Sequence, residues 1–228
     1  MDLEYTVISI GQMSANPLWN ERTDVRPGHA TTTLVRSEEA VILVDPSLPC
    51  ELLVPRLADR ANLKPDQVTH VFLTCYHPEM RRGIEAFDSA SWLISEHERE
   101  TVGVGLIEKM EEAQEHDDQD LVQVLKAEID MLRRTSAAPD SIAEGIDLFP
   151  LHGVTPGLTG LLLTPPSMSL LVTGDAIPTF GHLQQGKVLP HCADLEKAKE
   201  SFAEAVEIAD AMVLGRDNLV LNPIRRPF

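Results

Sequence analysis

The feature that most constrains this chain is the alternation of short apolar runs with short polar joins. Residues 4 to 10 (EYTVISI), Thr31 to Val35 and Ala40 to Val44 are apolar or β-branched, and only Arg36-Ser37-Glu38-Glu39 separates the last two. Runs of this length, bounded by charged turns, read as strands. The segment from Gln12 to Pro27 is polar and turn-rich, and Asp45-Pro46-Ser47 closes the third strand. Residues 51 to 61 place Leu52, Leu53 and Leu57 on one helical face, with Pro55 in the early turns, where proline is better tolerated. Val68 to Thr74 predicts a buried strand that runs straight into the loop Cys75 to Gly83. A short helix (IEAF) and another strand (SWLIS) follow.

The pattern then changes. Residues 96 to 134 are rich in Glu, Gln, Asp, Leu and Met and predict one or two helices, with Leu121, Leu125, Ile129 and Leu132 at helical spacing. That stripe suits packing against the domain, a cap over a pocket, or a dimer contact. Ser136 to Pro139 is expected to break the helix. The second half returns to strands in IDLFPL, LTGLLLT and SLLVTGD. An amphipathic helix follows over 194–209, with Asp194 as its N-cap, then a last strand, AMVLG, and a Pro/Arg-rich tail. The whole order is satisfied by two sheets packed between outer helices. The 228 residues suit one large domain or two small ones, and the order of elements is read as a single domain, 1–228, with a helical insertion at about 96–134.

Aromatic residues are only 4% of the chain, so the core must rest on Leu, Val, Ile and Ala. The net charge of −17 repels phosphate backbones and anionic lipids, so neither nucleic acid nor a membrane is an expected partner. A small molecule, another protein or a second copy of the chain remains. Cys50, Cys75 and Cys192 form no C-x-x-C pair, which argues against a disulfide framework and a zinc knuckle alike. The opening MDLEYTVISIGQ lacks the basic-then-apolar pattern of a secretory signal, and no apolar run approaches the roughly 20 residues of a membrane helix. The expected location is cytoplasmic.

Four segments place chemistry-bearing residues on loops after strands: TTTLVRSEEAVILVDPS (31–47), THVFLTCYHPEMRRGI (69–84), HGVTPGLTGLLL (152–163) and SLLVTGDAIPT (169–179). VLGRDN follows near the C-terminus. In this order and spacing they resemble the metallo-β-lactamase superfamily. Its pattern is a strand pair ending in an Asp turn, a T-H-x-H-x-D-H-x-G-G loop, and P-G-H-T-P-G, S-G-D and late G-H-D segments. The stretch from Thr173 to Phe202 is similar to the hydrolase-like branch of that superfamily. The resemblance covers nearly the whole chain. It implies an α+β fold of four αββα layers, with two mixed β-sheets sandwiched between helices.

The resemblance also implies a centre of one or two zinc or iron ions, which lower the pKa of a bound water and polarise the substrate. Carried over residue by residue, most ligands are missing. The first loop histidine falls on Cys75, the second on His77, the loop aspartate on Glu79 and the last loop histidine on Met80. The P-G-H-T-P-G histidine falls on Val154, the bridging aspartate on Asp175 and the final histidine on Arg216. Valine cannot bind a metal, methionine is a poor zinc ligand, and arginine does not give up its proton.

Two function classes follow. In the first, the di-metal site is lost, no metal cofactor is expected, and Cys75, His77, Glu79, Asp175 and Arg216 form a vestigial pocket in a non-catalytic binding protein. Arg216 would then pair with Asp175, and also with Glu79, in place of the lost cation. In the second, Cys75, His77 and Asp175 keep one zinc, iron or manganese ion in a divergent hydrolase of esters, lactones or thioesters. A metal-free Cys75–His77 pair is a third, weaker option. His152, His191 and Cys192 are further candidate ligands, and His29 a candidate cleft residue. His97, His116 and His182 sit in polar surroundings and receive no role.

Overall fold

The computed structural model describes residues 3–224. One sheet contains β1 (Glu4–Ser9), β2 (Thr32–Arg36), β3 (Val41–Val44), β4 (His70–Leu73), β5 (Ser91–Ile94) and β6 (Thr135–Ala137), in that spatial order. Pairings β1–β2 and β2–β3 are antiparallel; β3–β4, β4–β5 and β5–β6 are parallel. The other sheet contains β7 (Ser141–Ala143), β8 (Ile146–Pro150), β9 (Thr159–Leu163), β10 (Leu170–Val172), β11 (Ala211–Val213) and β12 (Leu219–Leu221). There only β10–β11 is parallel. The helices are α1 (Cys50–Ala61), α2 (Glu96–Glu115), α3 (Gln119–Arg134), α4 (Phe180–Gln185) and α5 (Leu195–Ile208).

Side chains alternate between the two faces of each strand, and this builds the layers. Val35, Ile42, Val44 and Phe72 meet Leu161, Leu163, Val172 and Val213 between the sheets. The alternate set in the first sheet, Leu34, Leu43, Val71 and Leu73, packs with Leu53 and Leu57 of α1. In the second sheet Leu171 and Met212 pack with Phe202 and Ala205 of α5. The result is helix, sheet, sheet, helix.

The ends of the helices follow from local chemistry. Asp194 caps α5 by accepting from Glu196 N and Lys197 N, each at 3.1 Å. Asp118 caps α3, so the helical segment resolves into two helices. After α3 the chain does more than break. Thr135 Oγ1 donates to Leu132 O (2.7 Å) and closes the helix, while the Thr135 backbone enters the sheet opposite Trp92 as β6. The Pro/Arg-rich tail likewise holds β12, and its residues 225–228 lie outside the described residues. Helix α4 was not anticipated: six residues with an internal glycine carry no readable period, yet Thr179 caps it and Gly186 ends it in the left-handed region. Among the described residues no helix is long and apolar enough to cross a membrane.

Candidate functional site

Three strand ends converge on the site. Asp45 follows β3 at φ +49° and is buried; its carboxylate accepts from Thr74 N (2.9 Å) and Thr74 Oγ1 (2.8 Å), tying the end of β3 to the end of β4. Burial pushes the Asp45 carboxyl up to about 7, against those hydrogen bonds. Gly174 follows β10 at φ +52°, and a Cβ there would stand 2.7 Å from Thr74 Oγ1. Only glycine lets the two loops pass this closely. Asp175 is the next residue.

These loops border a cleft of about 480 Å³ whose lining includes Cys75, His77, Glu79, Val154, Asp175, His191 and Arg216, together with Met13 and Asp24 from the loop after β1. All five residues singled out in the sequence therefore face one space. Met80 is fully buried in the core beneath the loop.

Arg216 dominates the cleft floor. Its Nε donates to Asp175 Oδ1 and its Nη2 to Asp175 Oδ2, both at 2.8 Å, while Nη1 donates to Glu79 Oε2. Arg216 is 8% exposed and Asp175 is 7% exposed. Burial alone would lower the Arg216 pKa; the adjacent carboxylates reverse that and raise it, so the guanidinium stays charged. The backbone fixes its position, with Arg216 N donating to Pro178 O (2.7 Å) and Gly215 N to Ile177 O (3.1 Å).

The neighbours are poorly set for a metal. Burial, followed by the charges of Asp175, Glu98 and Asp45, pushes the Cys75 thiol well above its ordinary range, so it holds its proton. His77 Nδ1 accepts from Glu79 N at 3.2 Å, which puts the proton of the neutral ring on Nε2. Partial burial, then the Arg216 charge, lowers the His77 pKa. Both Asp175 oxygens are taken by Arg216. Among the described residues no three His, Cys, Asp or Glu side chains converge as a metal-binding group. The donor set present does not fit a two-metal centre.

The sequence reading missed the residues that hold this loop. Glu98 of α2 is 1% exposed and accepts from Tyr76 N (3.0 Å), Thr155 Oγ1 (2.8 Å) and Gly157 N (3.0 Å). It joins the Cys75–His77 loop to the Val154 loop. Arg81 lies over the Tyr76 ring at 4.2 Å, donates to Tyr76 O (3.2 Å) and pairs with Glu128 of α3. Glu98 had a signal, since Ser95-Glu96-His97-Glu98 spells a capping box, but that reading gives it only a local job.

Several histidines also differ from expectation. His182 is buried: its Nδ1 meets Thr179 Oγ1 at 2.8 Å, and its Nε2 has no hydrogen-bond partner among the described residues. Its place in α4, held by the Thr179 cap, puts the ring inside the protein, whereas the sequence reading places it in polar surroundings. His29 is half-buried, with Nε2 on Ile10 O at 3.1 Å. His152 lies against His97, ring centroids 5.3 Å apart and tilted by 43°, and is absent from the cleft lining; Cys192 Sγ lies 2.8 Å from Leu189 O.

Residues 25–215 match the family profile of the metallo-beta-lactamase superfamily. No curated protein matches the sequence. The fold is similar to that of AidC, described as a dizinc quorum-quenching lactonase, at 18% identity and a TM-score of 0.67, over 87% of this chain and 76% of that one. A putative metallo-beta-lactamase from Thermotoga maritima aligns at 15% identity and a TM-score of 0.69, over 97% of this chain and all (100%) of its own. AiiA from B. thuringiensis, solved with N-decanoyl-L-homoserine bound at its active site, aligns at 18% identity and 0.62, over 94% and 92% of the two chains. At these identities the likeness carries the fold.

Proposed function

The chain belongs to the metallo-β-lactamase superfamily, and on that premise we propose that it is a cytoplasmic, non-catalytic binding protein whose former metal cleft receives a small molecule or a segment of another protein. One observation carries the reading: the Arg216 guanidinium is shared between Asp175 and Glu79. A metal centre needs carboxylates free to coordinate and a place for a cation between them. Here a cation of fixed charge already satisfies both carboxylates through a planar fork of donors. A divalent ion at the same oxygens would bring like charge against a guanidinium that cannot deprotonate. The remaining cleft, about 480 Å³, is of the size that takes small ligands.

A second reading has its own support. Cys75, His77 and Asp175 line the same cleft, and structural neighbours include a dizinc lactonase. One zinc on these three would give a divergent hydrolase of esters, lactones or thioesters. It requires the Cys75 thiol to ionise, the His77 tautomer to change and Asp175 to release Arg216.

The deciding experiment is metal content by mass spectrometry of tag-free protein, before and after exposure to zinc, iron and manganese, beside hydrolysis assays on an aryl ester and an acyl lactone. The binding-protein reading expects metal far below one equivalent and no turnover. Near one equivalent that resists mild chelation, with turnover lost in His77→Ala, would establish the hydrolase instead.

A further inference from the structure

The helical hairpin presents an uncovered apolar groove away from the cleft. It has a volume of about 540 Å³ and is lined by Gly103, Val104, Ile107, Ile129 and Leu132, with Arg99 and Glu100 from the start of α2 and Arg133 from the end of α3. Val104 is 57% exposed and Ile107 is 54% exposed, a large apolar area for a chain of net charge −17 to leave in water. Residues 99, 103, 107 and 111 succeed one another at i+4 along α2 and form one ridge.

Two features of that ridge are not accounted for by contacts among the described residues. A Cβ at Gly103 would meet only Leu132 Cδ2, at an ordinary 3.6 Å, so the fold does not require glycine there. Glycine in a helix interior costs up to about 1 kcal/mol relative to alanine. The far end of α2 carries Glu111, Glu112 and Glu115 and no basic residue in its last turn, against the helix macrodipole.

We propose that this groove is the interface with a second copy of the chain, α2 packing antiparallel on α2 about a two-fold axis level with residue 105. About that level Gly103 and Ile107 are each two positions away, and Arg99 and Glu111 are each six. The two-fold therefore seats Ile107 of each copy on Gly103 of the other. It also sets Glu111 against the end of the groove that holds Arg99 and Arg133. Arg133 has its side chain 75% exposed and, among the described residues, a single 3.4 Å ion pair with Asp130, which leaves it available to the partner. Glu100 shares that end, which makes it the less acidic end of the hairpin rather than a purely basic one. The contact is isologous: one ridge supplies both knob and gap, and both signs of charge.

The test is sedimentation velocity of the full chain over a concentration series up to about 100 µM, a range that resolves weak dimers. The expected mass is twice 25.1 kDa. Ile107→Asp, at an exposed position, leaves far-UV circular dichroism unchanged and raises the dimer dissociation constant about tenfold or more. Gly103→Ala separates interface from folding: it raises the melting temperature of the monomer through helix propensity and weakens the dimer. Glu111→Arg and Arg133→Glu each weaken the dimer, and the double substitution recovers it. A monomeric wild type throughout the series, or a dimer indifferent to both Ile107→Asp and Gly103→Ala, overturns the proposal.

Discussion

Arg216 grips Asp175 through both carboxylate oxygens, Nε to Oδ1 and Nη2 to Oδ2, each at 2.8 Å. The pair is buried, and Glu79 joins it through Nη1. Breaking a buried pair from one side leaves an unpaired charge and costs about 3–5 kcal/mol, whereas removing all the charges together costs far less. Arg216→Met is therefore expected to destabilise the chain by about that amount. Combining it with Asp175→Asn and Glu79→Gln recovers most of the loss. Urea unfolding midpoints of wild type, Arg216→Met and the triple variant check this. A single variant as stable as wild type would show that the pair contributes little.

The same geometry gives a prediction about zinc. A ligand that binds only the folded state raises its melting temperature by mass action. In the wild type the Arg216 charge stands on both carboxylates, and zinc is expected to leave the melting temperature nearly unchanged. Arg216→Ala frees Asp175 and Glu79 beside His77, so zinc is expected to stabilise the variant by several degrees, on the order of 2–3 kcal/mol at saturation. Differential scanning fluorimetry with and without zinc reads the difference. Equal shifts in both proteins would mean that the guanidinium is not what keeps a metal out.

Much of the fold is legible in the sequence. The strand runs are local and bounded by charged or turn-forming joins, so residues 31–35, 40–44 and 68–74 read as strands from their own residues, and β2, β3 and β4 lie within them or overlap them. The cleft was legible because Cys75, His77, Glu79, Asp175 and Arg216 fall at the loop positions of an ordered set of motifs. What escaped is set by partners distant in sequence. β6 and β12 are three-residue edge strands, defined only by Trp92–Ile94 and Ala211–Val213 beside them. Glu98 reads as a helix cap, and its bonds to residues 76, 155 and 157 exist only once the sheets are stacked. The burial of His182 depends on how α4 sits in the fold, which the six residues of that helix do not reveal.

Glu98 is the next prediction. Three donors, Tyr76 N, Thr155 Oγ1 and Gly157 N, end on one buried carboxylate. Glu98→Ala leaves them without an acceptor, at about 1–3 kcal/mol for each buried orphan, so a loss of about 4 kcal/mol is expected. Glu98→Gln keeps one oxygen but turns an NH₂ toward donors, and should lose roughly half as much. Chemical denaturation measures the loss. Hydrogen exchange should rise at residues 76 and 157 before it rises in β4. Uniform exchange in both places would assign Glu98 to global stability rather than to the two loops.

Asp45 supplies the pH dependence. Its carboxyl lies at about 7 in the folded chain against an ordinary value of 3.8, because burial disfavours the charge. The folded state thus holds this proton more tightly than the unfolded state does. Between about pH 4 and pH 7 the unfolded carboxyl is ionised while the folded one is still protonated, so this group makes stability fall as pH rises through that window. The full contribution is on the order of 4 kcal/mol. His29, His77, His152 and His182 are shifted down, so each favours stability at higher pH and opposes the trend. The informative quantity is therefore the difference between wild type and Asp45→Asn. The amide cannot ionise, yet its oxygen still accepts from Thr74 N and its NH₂ faces Thr74 Oγ1. Urea midpoints taken at intervals from about pH 4 to pH 8 should show the wild type losing stability relative to Asp45→Asn as pH rises, with the gap levelling off above about 7. Parallel profiles would mean that Asp45 is ionised in the folded chain throughout, held by Thr74 and the nearby Arg216 charge.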